Sequence, residues 1–517
     1  MAAPLILIVG AGPTGMTAAI ELRRAGMDVR IVDKSEHLAL HSQALVVQAR
    51  TLEQFQRYGI AEEAVARGRK LSEGAFWSDG KRILSIPFEH ISSRYRFVLM
   101  LPQSESESIL NERMESLGAR TERGTELVQL DQRDGDILAV LRHADGSEEE
   151  LRPRWVIGCD GAHSDIRHKA GIPWEGGGVG VSFFLGDMDL DGPDAPGDEL
   201  TIHFHHGDVV FMARLTDRLT RVIVAVHSRQ SQDDPPELSI EDFQEAVDNA
   251  GVKVKIYTSE WMTPFHVHDL QARHYRAGNV FLAGDASHIH SPVGGQGMNT
   301  GIQDAANLAW KLAAVAHGAD ATLLDSYEEE RGEVGKALLR FTERGLKLAT
   351  VPNPFLEWLR DSLMPLVSSL EPVQKAMLGF ISETAISYRS SAIVKDYGGD
   401  SDLRAGDRMP DLNLLGGGHG QSLLEKWTEA EHLAVLVNAS NSDIAEVRGR
   451  LPRVNVVGVS SRDLDEAGSR ALGNDRKILL VRPDGYIGFR GGVEPHGPWM
   501  EYAEQDALVP MRNAIHA

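Results

Sequence analysis

The strongest constraint in this sequence is a glycine-rich segment near its start, GAGPTG at residues 10–15. It follows an apolar run at residues 5–9 and leads into residues 14–25, where apolar side chains recur at helical spacing. Residues 28–33 then read as a second strand. The pattern therefore predicts a strand–helix–strand unit with parallel strands, which is the arrangement that binds dinucleotides.

Each glycine of the segment has its own physical reason. Gly10 permits the tight turn, Gly12 lets a pyrophosphate approach the backbone, and Gly15 allows close packing of helix on strand. The helix N-terminus adds free N–H groups and a positive dipole. Asp33 ends the second strand and can accept hydrogen bonds from ribose hydroxyls, which disfavours a 2′-phosphate there. These features predict dinucleotide binding without deciding between FAD and NAD.

A second segment, NVFLAGDASHIHSPVGGQGMNTG at residues 279–301, ends a strand at Gly284-Asp285. A carboxylate at that point can hold a ribityl hydroxyl. The glycine-dense loop that follows lets a flat ring lie against the backbone, and a helix begins near Asn299. Its N-terminus can stabilise negative charge on the N1–C2=O edge of a reduced flavin. The plainer alternative is an ordinary loop closed by a helix cap.

A third segment, GCDGAHSDIR at residues 158–167, places Asp160 in a sharp turn after a strand. In this order the three segments resemble the group A flavoprotein monooxygenases with the para-hydroxybenzoate hydroxylase fold. Residues 50–53 and 101–103 are similar to further family segments, as are residues 303–312 and 322–331. The tail LVRPDGYIGFR at 480–490 resembles the thioredoxin-like domain of phenol and polyketide hydroxylases.

The resemblance implies an α/β fold with three parts. An FAD/NAD(P)-binding Rossmann-like domain is expected at residues 1–75, 98–175 and 272–400. An inserted antiparallel-sheet domain for the substrate is expected at 76–97 and 176–271, and a thioredoxin-like α/β domain at 401–517. Residues 199–227 read as antiparallel strands with turns at 207–208 and 216–217, whereas 321–400 read as mainly helical.

The resemblance also implies FAD as the cofactor and NADPH or NADH as co-substrate, with no second glycine fingerprint for the latter. His163 and Gln43 stand where many relatives have arginine, which leaves the docking of NAD(P)H open. The cofactor-binding residues expected from the three segments and the resemblance are Gly10, Gly12, Pro13, Thr14, Gly15, Asp33, Lys34, Arg50, Gln103, Val128, Asp160, Gly284, Asp285, Pro292, Gly295, Gly297, Met298 and Asn299.

The chemistry implied is hydroxylation of a small aromatic substrate, phenolic or polyketide-like, by O₂ through a C4a-hydroperoxyflavin. The same flavin chemistry could give Baeyer–Villiger oxidation, epoxidation or dehalogenation, and a non-catalytic flavin-binding protein is a further alternative. A halogenase is disfavoured because its WxWxIP segment is absent. A dehydrogenase that holds NAD in the first fingerprint would be excluded by FAD in the purified protein.

Three residues are candidates for catalysis. Pro292 is expected beside the flavin, and Arg214 resembles in position a substrate-binding arginine of the hydroxybenzoate enzymes. A surface ion pair is the simpler interpretation of Arg214. His205 lies with Thr201 and His203 on one face of a predicted strand and is a candidate base, although most such histidines are structural.

Composition limits the partners. The formal net charge of −22 argues against nucleic acid and anionic membranes. A single cysteine, Cys159, excludes internal disulfides, cysteine zinc sites and iron–sulfur clusters, and the tail lacks a CxxC pair. No metal site is expected, because no carboxylate set accompanies His288 and His290. No apolar run reaches 18 residues, so a soluble cytoplasmic protein is expected, with a homodimer as a possible assembly.

Overall fold

The computed structural model describes residues 6–38, 44–133, 135–205, 208–227, 239–290, 295–349, 370–399, 403–413, 422–423, 427 and 431–505. None of the helices described is long and apolar enough to cross a bilayer. The α-helices are α1 (Pro13–Arg24), α2 (Ala49–Tyr58), α3 (Ala61–Arg67), α4 (Gln103–Ser116), α5 (Asp165–Lys169), α6 (Ile240–Asn249), α7 (Gly297–Ala316), α8 (Asp325–Ala349), α9 (Glu371–Ile381), α10 (Asn441–Arg450), α11 (Glu466–Leu472) and α12 (Pro498–Gln505).

Within the described ranges the strands form five sheets, three of which matter for the site. The strands are β1 (Ile6–Val9), β2 (Val29–Asp33), β3 (Val46–Val47), β4 (Arg69–Leu71), β5 (Glu73–Ser78), β6 (Lys81–Pro87), β7 (Val98–Met100), β8 (Thr121–Arg123), β9 (Glu126–Arg133), β10 (Asp136–Arg142), β11 (Glu148–Leu151), β12 (Trp155–Gly158), β13 (Trp174–Asp191), β14 (Glu199–His205), β15 (Asp208–Arg214), β16 (Leu219–His227), β17 (Lys255–Ala272), β18 (Arg276–Ala277), β19 (Val280–Leu282), β20 (His288–Ile289), β21 (Lys395–Asp396), β22 (Leu433–Val437), β23 (Asn455–Val459), β24 (Lys477–Val481) and β25 (Ile487–Gly491).

The first sheet is largely parallel and has the strand order β18-β19-β12-β1-β2-β8. β1 lies between β2 and β12 and is parallel to both, and β19 is parallel to β12. Every residue of β1 and β12 is buried, as expected when helices cover both faces of a parallel sheet. The sheet confirms the predicted strand–helix–strand unit and the α/β fold class.

The second sheet has eight strands in the order β20-β17-β13-β16-β15-β14-β5-β6. β14, β15 and β16 are antiparallel neighbours, as predicted for residues 199–227. The predicted turn at 207–208 begins outside the described residues, whereas Thr216 lies in the turn that joins β15 to β16. β5 begins at Glu73, slightly before the predicted domain boundary at residue 76. β20 pairs with β17, so the segment that follows Gly284 forms one edge of this sheet.

The two faces of the eight-stranded sheet have different neighbours. One face packs on α6, where Phe243 and Val247 contact a cluster that includes Met212 and Val222. The other face carries the aromatic and aliphatic side chains of a separate cluster. Phe76 and Leu200 of that cluster also pack against the main core of the first domain, so this face turns toward the first domain. It is called the apolar sheet face below; its members are Phe76, Ile83, Phe183, Leu200, Ile202, Phe204, Val209, Phe211, Ile223 and Ala225.

The C-terminal sheet has the order β21-β25-β24-β22-β23. β22 is parallel to β23 and antiparallel to β24, and the strands predicted at 433–437, 454–459 and 477–482 are confirmed. The prediction that residues 321–400 are mainly helical is correct for α8 and α9 but wrong for 382–399. Glu383 adopts a left-handed backbone with φ of 59°, which ends α9. The chain then joins the C-terminal domain, where the Tyr388 N–H donates to the Gly406 carbonyl.

A buried group of charges joins the C-terminal domain to α7 and α8, and it is called the interdomain cluster below. The Arg482 guanidinium donates to Glu330 at 2.6 and 2.9 Å and to Asp484 Oδ1 at 3.0 Å. Lys311 Nζ lies 2.8 Å from Glu330 Oε2, and Asn307 Nδ2 lies 2.9 Å from Asp484 Oδ2. All five side chains are buried. Burial lowers the pKa of Lys311 to about 8, although Glu330 opposes that shift.

Replacing Arg482 with Met should destabilise the folded chain, because it leaves Glu330 and Asp484 buried with less compensating charge. Loss of one partner of a buried pair costs about 3–5 kcal/mol. The measurement is urea unfolding followed by circular dichroism. Arg470→Met is the matched control, since Arg470 pairs with Glu466 on the surface and such pairs contribute about 0–1 kcal/mol. Equal effects of the two variants would contradict a structural role for the cluster.

Candidate active site

The glycine-rich loop between β1 and α1 is shaped by close backbone contacts. Gly10 has φ of 99°, and a Cβ atom there would lie 2.2 Å from the Cys159 carbonyl oxygen. A Cβ atom on Gly15 would lie 1.9 Å from the Gly10 carbonyl oxygen. A Cβ atom on Gly12 would meet nothing within 4 Å. Packing therefore requires Gly10 and Gly15, whereas Gly12 leaves open space in front of the α1 N-terminus.

The α1 N-terminus has no side-chain cap. Gly12 is the N-cap residue and Pro13 opens the first turn, so no side chain competes for the first N–H groups. Unpaired N–H groups and the helix dipole favour an anion at this point. The loop is thus suited to a phosphate group, as predicted from the sequence.

Asp33 at the end of β2 is held in place by the loop. Its Oδ2 accepts from the Ala11 N–H at 2.7 Å, and its Oδ1 accepts from the Ser35 N–H at 2.8 Å. Arg123 Nη1 lies 3.7 Å from Oδ2. Each oxygen of a carboxylate can accept more than one hydrogen bond, so Asp33 keeps capacity for a hydroxyl donor.

Thr14 joins the glycine-rich loop directly to the second predicted segment. A Cβ atom on Gly284 would lie 2.6 Å from Thr14 Oγ1, and one on Gly301 would lie 2.4 Å from the same atom. Gly284 also has φ of 64°, which favours glycine. The turn at Gly284 and helix α7 thus meet the start of α1. The two segments that sequence analysis assigned to opposite ends of one cofactor lie against each other.

Asp304 on α7 anchors the Gly284 turn from behind. Its Oδ2 accepts from the Gly284 N–H at 3.0 Å and lies 2.7 Å from His288 Nε2. Its Oδ1 accepts from Arg331 Nε at 2.5 Å. Burial opposes the charge of this carboxylate, but Arg331 and His288 outweigh it and hold the pKa of Asp304 below its ordinary value. Asp304 is therefore an ionised anchor for the turn.

Asp285 is the best-placed acceptor of the second segment. Its side chain is accessible to solvent, whereas its neighbours Gly284 and Ala286 are buried. Desolvation by the surrounding protein raises the pKa of Asp285, while His288 acts in the opposite direction. The carboxylate makes no hydrogen bond to the side chains or N–H groups described, so both oxygens can accept from a cofactor hydroxyl.

Asp160 is placed next to the glycine-rich loop but is used locally. Its Oδ1 accepts from Ser164 Oγ at 2.6 Å, and its Oδ2 accepts from the Ile166 N–H at 3.0 Å. These bonds close the turn that begins α5. Burial raises the pKa of Asp160, against the effect of both hydrogen bonds. A cofactor contact by Asp160 remains a prediction.

The side chain of Asn299, in the first turn of α7, holds the start of the helix against β3. Oδ1 accepts from the Gln48 N–H at 2.9 Å, and Nδ2 donates to the carbonyls of Val46 and Gly295 at 2.8 Å each. A cofactor contact by Asn299 stays a prediction. Gln103 is similar: its Oε1 accepts from the Ala44 N–H at 3.2 Å. Both amides fix the loops around the cleft.

The remaining predicted cofactor residues are placed as follows. Lys34 is exposed and its Nζ lies 4.0 Å from Asp165 Oδ2. Val128 is half-buried on β9, and Gly297 and Met298 open α7. Gly295 has φ of 62°, and its Cβ position would lie 2.7 Å from Val46 Cβ. Pro292 lies outside the described residues. The cofactor roles of this group stay predictions.

Arg50 is placed differently from the prediction. Its Nη2 donates to the Asp484 carbonyl at 2.5 Å, its Nη1 donates to Glu53 Oε2 at 3.0 Å, and its guanidinium lies over the Tyr486 ring at 5.1 Å. Nη2 and the Tyr486 ring contact thus join Arg50 to the C-terminal domain, while Nη1 pairs with Glu53 within α2. The segment at 50–53 joins two domains, which local sequence pattern could not reveal.

Arg214 and His205 are at opposite ends of the β14–β15 hairpin. Arg214 donates to the carbonyls of Pro196 at 2.9 Å and Asp217 at 3.1 Å, so it holds two loops together. His205 Nδ1 lies 2.7 Å from Asp79 Oδ1, beside the β5–β6 turn. β14 runs parallel to β5, and the chain enters β5 from β4 of the first domain. The C-terminal end of β14, where His205 lies, is therefore the end of the sheet that is distant from the first domain. The structure does not bring His205 to the cofactor loops.

Sequence analysis missed the residues that support the site from behind. Asp304, Arg331 and His288 are buried and connected, and the Arg331 Nη1 also donates to the Tyr388 hydroxyl at 2.9 Å. Asp304 and Arg331 do lie in the segments at 303–312 and 322–331 that resemble the family. For Asp304 the signal was a carboxylate among the apolar residues of α7. Arg331 lies among the many charged residues of α8 and His288 lies on β20, so neither has a comparable signal in the sequence. Among the described residues, no group of His, Cys, Asp and Glu is arranged to hold a metal ion.

Comparison with known proteins gives the same architecture. A family model described as an FAD binding domain matches residues 5–342, and one described as the C-terminal domain of aromatic-ring hydroxylases matches residues 402–508. The chain is 31% identical to pentachlorophenol 4-monooxygenase of Sphingobium chlorophenolicum, covering 95% of this chain and 94% of that protein. It is 30% identical to 6-methylpretetramide 4-monooxygenase of Streptomyces rimosus, covering 94% and 91%.

A solved structure has the same fold over nearly the whole chain. OxyS anhydrotetracycline hydroxylase from Streptomyces rimosus superposes with a TM-score of 0.80 at 30% identity. The match covers 97% of this chain and 98% of that one. The predicted inserted sheet and C-terminal α/β domain are therefore shared with an enzyme of known structure.

Replacing Gly12 or Gly10 with Ala should separate cofactor binding from folding. Gly12→Ala should fold normally but weaken FAD binding about tenfold or more, because the methyl group enters the open space in front of α1. Gly10→Ala should destabilise the chain by about 1–3 kcal/mol through its clash with Cys159. FAD titration and thermal unfolding of the flavin-free proteins measure the two effects. Unchanged FAD affinity in Gly12→Ala would contradict this placement of the pyrophosphate.

Proposed function

We propose that this chain, which belongs to the FAD-dependent aromatic-ring hydroxylases and is a monooxygenase, uses NAD(P)H and O₂ to hydroxylate a phenolic or polyketide-like substrate. Membership of this family establishes that the chain is a monooxygenase and that its cofactor is FAD. The reductant, the route of oxygen transfer and the substrate class are the parts that are proposed. The contact of Thr14 with Gly284 and Gly301 is the observation that supports the proposal most directly.

The residues of the cleft fit FAD. The open space at Gly12 and the uncapped start of α1 suit the pyrophosphate, and Asp33 keeps capacity for a ribose hydroxyl. Asp285 offers a carboxylate for the ribityl chain that makes no hydrogen bond to the described part of the protein. Because Thr14 joins these groups, one extended cofactor can contact both. When bound, the flavin supplies electron transfer from NAD(P)H and activation of O₂.

The protein contributes electrostatics at the start of α7. That helix is 20 residues long and begins at Gly297 without a side-chain cap, so its first N–H groups can face negative charge on a flavin ring. Asn299 and Asp304 hold the helix start and the Gly284 turn from either side. A preorganised dipole costs little reorganisation when charge develops, which is the reason such a placement favours reduction.

The apolar sheet face supports an aromatic substrate. Phe211 and Ile223 are half-exposed on this face, and Phe183 beside them is buried. Large apolar side chains that are only partly covered favour a flat, apolar ligand over a small polar one. They also limit the access of water to a reacting centre. The similarity to pentachlorophenol 4-monooxygenase and 6-methylpretetramide 4-monooxygenase supports the same substrate class.

The roles of Pro292 beside the flavin and of Arg214 toward the substrate stay predictions. Side chains alternate along β15, so Arg214 lies on the same side as Val210 and Met212, which pack against α6, and opposite to Phe211 of the apolar sheet face. His205 is the weakest of the three, because its position is at the distal end of the hairpin. We propose a cytoplasmic location because NAD(P)H is supplied there; the homodimer stays a prediction.

The test is turnover by the FAD-loaded full chain with a panel of phenols, aromatic acids and polyketide quinones. A substrate should accelerate NADH or NADPH oxidation, and under ¹⁸O₂ the product should gain one labelled oxygen atom. The flavin-free protein is the control. If each compound gives only hydrogen peroxide, the hydroxylase proposal fails, and a ring-expanded or dehalogenated product would instead favour the alternative outcomes of the same flavin chemistry.

Phe211→Ala tests the apolar sheet face. Removing a phenyl contact should raise KM for the substrate identified in the panel roughly 10–100-fold, as expected for about 1.5–3 kcal/mol of lost burial. FAD binding should not change. Tyr257→Ala is the matched control, because Tyr257 is on β17 of the same sheet with 56% of its surface exposed. Equal KM values for both variants would place the substrate elsewhere.

A further inference from the structure

A cavity separate from the cleft residues described above lies between α8, α9 and the start of α7. Its volume is about 350 Å³, which is within the range of small-molecule sites. Residues 385–391 close one side of it. The apolar walls come from Val334, Leu338, Phe380 and Ile386. Neither the apolar sheet face nor the glycine-rich loop contributes to its lining.

Glu383 lies in the wall of this cavity and is only 3% exposed. Its carboxyl group accepts from Thr300 Oγ1 at 3.2 Å and from the Gln303 amide, and both of these partners are neutral. Its backbone is in the left-handed region with φ of 59°, where a non-glycine residue is uncommon. A buried carboxyl group hydrogen-bonded only to neutral partners lacks the compensating cation that such groups usually have.

Two further polar atoms of the lining are buried without a hydrogen bond. They are Gln296 Oε1 and Ser391 Oγ, in side chains that are 2% and 5% exposed. The amide nitrogen of Gln296 is already used, since it donates to the Phe380 carbonyl at 2.9 Å. A buried polar group without a hydrogen bond is unfavourable, because the loss of its water contacts is not compensated. A ligand that donates hydrogen bonds to these atoms would therefore be favoured in the cavity.

Carboxylates and one arginine carry the charges around the cavity. Glu329, Glu333 and Arg340 are exposed at its rim, and Glu333 pairs with Lys336 at 2.8 Å. Glu330 is buried in ion pairs with Lys311 and Arg482. Glu383 is thus the buried carboxyl group of the described lining that has no paired cation. When it is ionised, it favours a positively charged ligand and disfavours an anion.

We propose that this cavity is a second ligand site, for an organic ammonium ion that carries an apolar ring. The ammonium group donates to Glu383 and Gln296, which are acceptors at the end of the cavity nearest α7. The ring packs against Leu338, Phe380 and Ile386. The cavity is wide enough for one ring with a short chain. The site goes beyond the proposed hydroxylase function and does not depend on it.

Ammonium binding at Glu383 should release a proton. Burial raises the pKa of Glu383 to about 8, while Arg331 lowers it and Asp304 raises it. The carboxyl group is mainly protonated at pH 7, and an ammonium ion favours the ionised form. Affinity should therefore rise with pH up to about 8 and then level off. Below that value the slope should be roughly tenfold per pH unit.

Several other charged or ionisable groups lie near Glu383. Burial holds the pKa of Tyr388 well above its ordinary value, so its hydroxyl stays neutral. Arg331 and Asp304 form a buried pair, and Glu330 of the lining is buried in ion pairs with Lys311 and Arg482. The remaining charged groups on the elements packed against Glu383 are Glu329, Glu333 and Arg340 on α8; Arg408, which donates to the Thr384 carbonyl; and Arg50, whose backbone N–H donates to the Ser382 carbonyl.

The test is calorimetric titration of the FAD-loaded full chain with 2-phenylethylamine, without NAD(P)H. The uncharged isostere 2-phenylethanol is the ligand control. The amine should bind at least tenfold more tightly than the alcohol. Repeating the titration in buffers of different ionisation enthalpy should show release of close to one proton at pH 7. Because no turnover is measured, failure here is distinguishable from failure of the proposed function.

Glu383→Gln should weaken amine binding tenfold or more and abolish proton release, whereas the surface control Glu466→Gln should change neither. If Glu383→Gln does not fold, the proton release measured with the unmodified chain tests the proposal instead. A cavity that holds only water and binds no amine would release no proton. Amine and alcohol binding with equal affinity, or proton release that persists in Glu383→Gln, would overturn the proposal. Absence of saturable amine binding at pH 8 would also overturn it.

Discussion

The cofactor cleft depends on one close contact, that of Thr14 with Gly284 and Gly301. At these two positions a Cβ atom would lie 2.6 and 2.4 Å from the threonine hydroxyl, so the approach is open only to glycine. The contact fixes the starts of α1 and α7 relative to each other. Since each helix start offers unpaired N–H groups, their separation sets the span over which one extended anionic cofactor can be held.

The contact is supported by buried charge rather than by apolar packing alone. Asp304 connects the Gly284 N–H to Arg331, and Arg331 connects to Tyr388, whose ring lies 4.3 Å from that of Tyr486 in the C-terminal domain. The interdomain cluster runs parallel to this path. Buried ion pairs contribute little net stability but strongly disfavour alternative arrangements, because a displaced partner leaves an uncompensated charge. The C-terminal domain can therefore fix the geometry of α7 without any redox chemistry.

Local patterns predicted the parts of the fold that depend on local physics. The strand–glycine–helix unit and the strands of β14–β16 follow from periodicity and turn residues that are adjacent in sequence. Arg50 and Asn299 show the limit. Their residue types suit a cofactor site, but their partners, Asp484 for Arg50 and Val46 for Asn299, are far away in sequence. Only the tertiary fold decides whether such a side chain meets a ligand or another loop. The same holds for Asp304, which periodicity alone marks as one polar residue on a helix.

Asp304 and Glu383 show how environment, and not residue type, decides the state of a buried carboxyl group. Asp304 is part of α7 and Glu383 contacts α7, and both side chains are buried. Asp304 has Arg331 and His288 as partners, which hold its pKa below the ordinary value. Among the residues that the structure describes, Glu383 has a hydroxyl and an amide as its hydrogen-bond partners, and burial raises its pKa to about 8. Asp304 is thus neutralised by cations of the chain itself, whereas Glu383 has no such partner among the described residues. Because Glu383 faces a cavity with two polar atoms that lack hydrogen bonds, we infer that its cation is supplied by a ligand.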